Sequence, residues 1–396
     1  MTTSEPGGWR ARIHLGAALK PGSDRTVAAL WGLTILLVGI GLIMVLSSSS
    51  ITSYLDEQGF FGGFWKQAGF ALIGLPLMFF AASRRLSFWK KGAWWFLGLG
   101  LVLQLLVFTP LGIEEYGNRN WIQIGSVTAQ PSEALKLALV VWVGAVLQRK
   151  EPLLHQMRHE LIPVILPGAL LALGVVLAGR DLGTVLIMAG LVFGAMFFGG
   201  VSGKSLATVA AGGLLGVFLF VVTSPNRMNR LFEHAGGNED YSGLGWQSTH
   251  GMWALAGGGL FGVGLGNSKA KWSWLPAADN DYIFAIIGEE LGLIGALLVI
   301  CLFIALAVVM LRVIARARDR FSRAVVGGIM VWIIGQAFVN IGVVIRVFPV
   351  LGVPLPLISA GGTALIACLL AIGVVISIAR DAASYQEELT QTNGRA

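Results

Sequence analysis

The chain reads as an all-α polytopic membrane protein of about ten transmembrane helices, with a large extracytoplasmic loop between helices 7 and 8. Three observations carry that reading. Only 12% of the 396 residues are charged, against about 25% in soluble domains, and 55% are hydrophobic, giving a mean hydropathy of +0.76. Gly is in excess at 54 residues, as is common in membrane helices, with no collagen period or polar tract to account for it. Ten stretches are apolar over close to the ~20 residues that a bilayer crossing needs. So few charges cannot cover a water-soluble surface, which excludes a soluble enzyme, a secreted disulfide scaffold and a disordered chain.

In order, the spans are expected at 27–47, 64–82, 93–111, 132–148, 161–178, 182–200, 205–223, 283–311, 324–345 and 356–379. They lie in a membrane domain of residues 26–380, flanked by polar tails at 1–25 and 381–396. The first tail carries Arg10, Arg12, Lys20 and Arg25 but no apolar core, so no cleavable signal is expected. The stretch 283–311 exceeds one crossing and is expected to tilt or break near Gly292–Gly295. Three prolines in 349–356 preclude a regular helix there, and irregular backbone at membrane depth must line a cavity or be buried in protein. A re-entrant wall of an outward-opening site is the expectation. Cys301 and Cys368 lie in apolar runs without CxxC or Cys/His neighbours and read as small core hydrophobes.

Charge sets the orientation. With the N-terminus cytoplasmic, nineteen of the 28 Lys and Arg fall inside, eight outside and Lys136 within a span. Both termini are therefore expected in the cytoplasm, and the net charge of +7 reflects cytoplasmic loops rather than nucleic-acid binding. The outer loops 112–131 and 224–281 are long and chemically mixed. The second shows little evident secondary structure; its Tyr241, Trp246, Trp253, Trp272 and Trp274 suggest packing at the membrane interface.

No Walker A motif is present, which argues against nucleotide-driven transport. The Gly-rich run 257–266 reads either as a phosphate cradle or as tight turns and helix contacts. In QPSEALK, Ser132 reads as an N-cap, with Glu133 in the positive first turn. Lys136, on the same face as Glu133, is about 6 Å from the span's start and close enough to snorkel outward. That pair either locks a helix start or keeps a cation for an anionic ligand. Arg119 and Trp121 combine a phosphate-binding fork with an interfacial ring. Asp181 starts a span from outside, where adjacent Arg180 is expected to neutralise it. Asp281 stands at the mouth of the eighth span, at or near an N-cap, and Glu289 lies eight residues on, about 12 Å deeper. Capping gives no reason to bury Glu289 and Glu290. A general base or cation-binding carboxylate at Asp281 and a protonatable gate at Glu289 are equally open on spacing alone.

The ordered motifs GNRNWI, QPSEALKLAL, DLGT, GLGWQS, GGGLFGVGLGNS, LPAADNDYIFAIIGEELGLIG and QAFVNIGVV…PVLGVPLPLISAGGTAL resemble the SEDS family, the RodA/FtsW peptidoglycan glycosyltransferases, over about 26–380. LPLISAGGT and MVLSSSSITSY are nearer the division branch, FtsW, than the elongation branch. The resemblance implies a glycosyltransferase C-like enzyme of the bacterial cytoplasmic membrane that polymerises lipid II on the outer face. It implies a class B penicillin-binding transpeptidase as partner, with other division or elongation membrane proteins. It places the essential acid on Asp281 and the substrate-binding set on Trp121, Lys136, Arg119, Glu133, Gln247, Glu289, Glu290 and Ser359. Departures are Asn120 where Arg is common, Ala277 for Glu, Asp279 for His, Arg180 for Pro, and Arg346 for Gly, the last read as an interface anchor. The expected chemistry has Asp281 deprotonate the attacking sugar hydroxyl or hold a divalent cation (Mg or Mn), while Lys136 and Arg119 stabilise the leaving pyrophosphate; no nucleotide is needed. The rival readings are a lipid II flippase or secondary transporter gated by Glu289 and Glu290, and a scaffold whose own catalysis is dispensable.

Overall fold

The computed structural model describes residues 23–222, 228 and 244–393, apart from 56, 58, 116, 117, 126, 155 and 273. The N-terminal tail to residue 22, Tyr241 and the middle of the 224–281 loop lie outside the described residues. Helices form in the order α1 (Ser23–Leu55), α2 (Gly62–Ser83), α3 (Leu86–Leu105), α4 (Pro131–Arg149), α5 (Met157–Ala178), α6 (Leu182–Phe198), α7 (Gly203–Val222), α8 (Leu244–Gly257), α9 (Ile283–Arg316), α10 (Arg320–Val344) and α11 (Gly362–Asn393). Nine of them are long and apolar enough to cross a membrane, and the shorter apolar α6 makes ten with them. The chain is a multi-pass membrane protein. All ten expected spans are present among the described residues; the last begins later, at Gly362, because 349–361 is irregular.

α4, α10 and α11 are mostly buried and form the centre, while α7 exposes nearly all its sides, as a lipid-facing helix does. In hydrocarbon, helices associate by close packing, which small residues allow. The Gly excess is used this way: Gly168 lies under the Trp142 ring, Gly328 against Val140, and Gly41 against the backbone of Leu357 and Ile358. That last contact seats the irregular segment deep against α1.

One loop gains structure that the sequence does not announce, and one expectation is corrected. The loop 112–131 forms a small antiparallel sheet, β1 (Gly112–Glu115), β2 (Asn118–Ile124) and β3 (Val127–Ala129), in the order β1-β2-β3. Within 224–281, expected to show little secondary structure, residues 244–257 form helix α8. Gly-rich helices are hard to read from propensity, and this one is held by tertiary contact: its Gly251 packs under the Tyr282 ring.

α9 breaks where expected. Gly292 has φ +69°, outside the helical region, and interrupts the ladder. A break at membrane depth exposes carbonyls and amides that lipid cannot satisfy. The Gly-rich run supplies the partners. Val263 and Gly264 N–H donate to the carbonyls of Glu289 (2.9 Å) and Glu290 (3.1 Å), while Leu293 and Ile294 N–H donate to Gly259 (2.9 Å) and Leu260 (3.3 Å). Gly258 and Gly262 permit this approach, since a Cβ at either would strike α9 backbone. These glycines serve a helix break rather than a phosphate.

Candidate active site

Asp281 stands at the end of the 224–281 loop, two residues before α9, and its surroundings are tied from several elements. Asn340 of α10 donates through Nδ2 to the Asp281 and Val353 carbonyls, each at 2.8 Å. Ser359 Oγ donates to the Asn280 carbonyl at 2.6 Å and accepts from Leu355 N–H at 2.8 Å. Ala360 N–H donates to the Asp279 carbonyl at 2.9 Å, and Gln67 of α2 donates to the Ser359 carbonyl at 2.9 Å. The irregular 349–361 segment is thus stitched to the Asp281 turn, with its polar backbone satisfied from α2 and α10.

The Asp281 carboxylate itself is left free. Its Oδ1 is buried with no hydrogen-bond partner. It caps nothing: α9 begins at Ile283 with Tyr282 at the N-cap and no side-chain cap bond, which corrects the capping expectation. Burial, then the nearby charges of Asp279 and Asp181, push its pKa up to about 6. Asp279 is also raised by burial, an effect eased by its own backbone hydrogen bond and by Lys66.

Asp181 faces the same region and is fully engaged. It accepts from Asn120 Nδ2 (2.8 Å), Gln130 Nε2 (3.1 Å) and the Thr184 N–H it caps (2.9 Å). Arg180 is exposed at φ +66° and forms no ion pair among the described residues, so amides rather than a cation compensate Asp181. Asn120 reaches it because Trp121 pairs with Ile113 and Arg119 with Glu114, leaving Asn120 as the extra residue of a bulge. Arg119 instead donates to the Thr109 carbonyl at 2.9 Å, and Trp121 is half-buried on β2.

Lys136 does not snorkel. It is 1% exposed, paired with Glu133 at 2.8 Å, bonded to Gln336 Oε1 at 3.2 Å and 4.7 Å from the Trp332 ring centre. Gln336 passes the contact on, donating to the Pro354 carbonyl of the irregular segment at 2.9 Å. Ser132 is not the N-cap: Gln130 is, Pro131 takes the first helical position, and Ser132 Oγ is buried without a partner.

Three of the expected site residues lie in other networks. Glu289 accepts from Ser268 Oγ (2.5 Å) and the N–H groups of Lys269 (2.9 Å) and Ala270 (3.4 Å). Glu290 accepts from Ser47 Oγ (2.6 Å) and pairs with Lys271 at 3.5 Å. Both carboxylates fasten residues 268–271 to α9 and α1. Gln247 donates to the Pro276 carbonyl at 3.1 Å, beside the stacked Trp246, His250 and Trp274 rings. Sequence reasoning missed Asn340, Gln336, Gln67 and the role of Asn120. A signal existed for two: Gln336 and Asn340 are amides four apart on one face of an otherwise apolar span. Among the described residues no cluster of three or more His, Cys, Asp or Glu is arranged to hold a metal.

Comparison with known proteins gives a consistent result. Residues 27–384 match the family model FtsW/RodA/SpoVE, described as cell cycle protein. The chain is 37% identical over 379 residues to a probable peptidoglycan glycosyltransferase FtsW of Mycobacterium tuberculosis, covering 95% of this chain and 72% of that one. It is 35% identical over 352 residues to stage V sporulation protein E of Bacillus subtilis, covering 88% and 95%. Among solved structures, it resembles a chain from a peptidoglycan synthase complex in which polymerization and crosslinking are coordinated, with TM-score 0.72, 24% identity, and coverage of 89% and 97%. It also resembles the rod shape determining protein RodA of Thermus thermophilus, with TM-score 0.64, 22% identity, and coverage of 92% and 99%.

Proposed function

Because the chain belongs to the FtsW/RodA/SpoVE family, we infer that it is a peptidoglycan glycosyltransferase, polymerising lipid II into glycan strands on the outer face of the cytoplasmic membrane. The observation that carries the chemistry is the buried, unpartnered Oδ1 of Asp281 on a turn held by hydrogen bonds from Asn340, Ser359 and Ala360. A carboxylate with pKa about 6 is mostly ionised at neutral pH yet more basic than an ordinary aspartate, which suits a general base. Asp281 takes the proton of the attacking sugar hydroxyl, whose oxygen forms the glycosidic bond to the donor sugar's anomeric carbon as that carbon's bond to pyrophosphate breaks and undecaprenyl pyrophosphate leaves.

Asp281 is also the residue that would hold a divalent cation, Mg or Mn, whose contribution would be to neutralise the pyrophosphate. With no three-ligand cluster among the described residues, most of its ligands would come from substrate and water. Lys136, Glu133 and Ser359 act on the site through the irregular segment, as positioning residues. Trp121 on the adjoining sheet is assigned to the substrate's sugars. Arg119, Gln247, Glu289 and Glu290 shape the outer loops around the site. The complete hydrogen bonding of Glu289 and Glu290 favours the enzyme over a gated transporter, since a gate needs a carboxylate free to exchange protons. By analogy with the peptidoglycan synthase complex, a class B transpeptidase is the proposed partner, and the outer loop its contact.

The test is Asp281→Asn in purified protein with lipid II. Glycan strands should be lost at least a hundredfold while yield and membrane insertion are unchanged. Polymerisation at the wild-type rate would remove Asp281 from the mechanism.

A further inference from the structure

At the end of the bundle remote from Asp281, the α2–α3 turn Ser83-Arg84-Arg85 carries two adjoining clefts. One, of about 790 Å³, is lined by Arg84, Arg85, Ser87, Lys91, Gly92 and Trp95 among others. The other, of about 700 Å³, shares Arg84 and Arg85 and reaches Arg380 and Ser377 of α11. Its one carboxylate is Asp381. Neighbouring cations have dedicated anionic partners: Lys90 pairs with Asp319, and Arg320 with Glu151. Arg84, Arg85 and Lys91 pair with no carboxylate among the described residues; Arg84 lies over the Phe80 ring, 4.2 Å from its centre, and donates to Ser83 Oγ at 3.4 Å.

Position makes these unpaired cations informative. Ser87, Lys91 and Trp95 are spaced four apart, on one face of α3, and Trp95 is 81% exposed within a membrane span. That face therefore looks into lipid, and Lys91 stands on it only one to two turns from the helix start, roughly at headgroup depth. Gly92 keeps the floor of the cleft open for the Phe96 ring, which lies where a Cβ would be. The cleft thus has cations at the water side and rings at the acyl side.

We propose that the α2–α3 turn is a binding site for the phosphate headgroup of an anionic phospholipid, held by Arg84, Arg85 and Lys91 with its glycerol and upper acyl chain against Trp95. Basic pockets at a cytoplasmic membrane surface bind such headgroups, each cation contributing about fivefold in affinity. The apolar, lipid-facing wall selects a lipid over an acidic protein segment.

The full chain is reconstituted in vesicles of phosphatidylcholine with increasing phosphatidylglycerol, either lipid being brominated on the upper acyl chain. The quenching lost in Trp95→Phe reports Trp95 alone. In the wild type, Trp95 should be quenched at a mole fraction of phosphatidylglycerol at least tenfold lower than of phosphatidylcholine. In Arg84→Gln/Arg85→Gln/Lys91→Gln that preference should vanish, whereas Lys90→Gln should retain it. Equal quenching by the two lipids, or a preference that survives the triple substitution, would overturn the proposal. Relief of quenching by millimolar inorganic phosphate would also overturn it, making the site one for free phosphate.

Discussion

Asp281 meets two opposed demands. Burial beside Asp279 and Asp181 makes its charge costly, while the hydrogen bonds that hold its turn engage backbone carbonyls and leave the carboxylate unrelieved. The pKa is raised, so the folded state binds the proton more tightly than the unfolded chain. The stability contribution is complete below about pH 4 and is lost as pH rises through about 6. Asp281→Asn should therefore unfold later than wild type at neutral pH, by about 2 kcal/mol once partial exposure is discounted, and identically below about pH 4. Thermal unfolding in detergent across that range checks it. In the same range the wild-type polymerisation rate should climb with pH and level above about 6, since only the ionised form accepts a proton. A rate independent of pH between 5 and 7 would count against Asp281 as the base. At this scale the sequence was legible for the acid and not for its setting. Asp281 is one of four carboxylates in 279–290, at a span mouth, and the scarcity of charge in the chain makes that group conspicuous. The bulge that turns Asn120 toward Asp181 depends on strand register, which no local pattern around Arg119 announces.

Among the elements, α9 was the most readable and the loops 112–131 and 224–281 the least. Its excess length and paired glycines pointed to a break, because an uninterrupted helix of 34 residues runs to about 51 Å, longer than a bilayer core. What the run 257–266 does with its glycines was open until the two segments met in space. Gly292→Ala tests the arrangement. The new Cβ would strain a φ of +69° and press on the Gly262 and Leu260 backbone. A loss of about 1–3 kcal/mol is expected, with faster proteolysis within 244–272 than in the wild type. Gly257→Ala, whose Cβ meets nothing, should leave both unchanged.

Over the whole molecule, one end gathers the cations and their partners: Arg316 with Thr26, Lys90 with Asp319, Arg320 with Glu151 and the Gly199 carbonyl, Arg380 with the Ala82 carbonyl. Burial raises the Asp319 carboxyl, but the hydrogen bonds from Lys90 and Ser322 and the Lys90 charge together outweigh it and hold the group below its usual range. The opposite end holds Asp281, the sheet and α8. Hydropathy made the spans legible because lipid imposes one length on every crossing. The sheet, by contrast, is specified by long-range contacts such as Arg119 N–H to the Gly179 carbonyl, at 2.9 Å. The cation-rich end is proposed to face the cytoplasm. In a background lacking Cys301 and Cys368, Lys269→Cys should react with an impermeant maleimide in intact cells, and Ser384→Cys only after lysis. The reverse pattern would invert the topology. The break in α9 also bears on how the chain is made. Its leading piece, 283–291, spans only about 13 Å and cannot cross a bilayer alone. The backbone that completes it, 259–264, is translated first, so the groups needed to shelter Glu289 and Glu290 have already emerged when Gly292 leaves the ribosome. The order of synthesis matches the order in which the fold needs its parts.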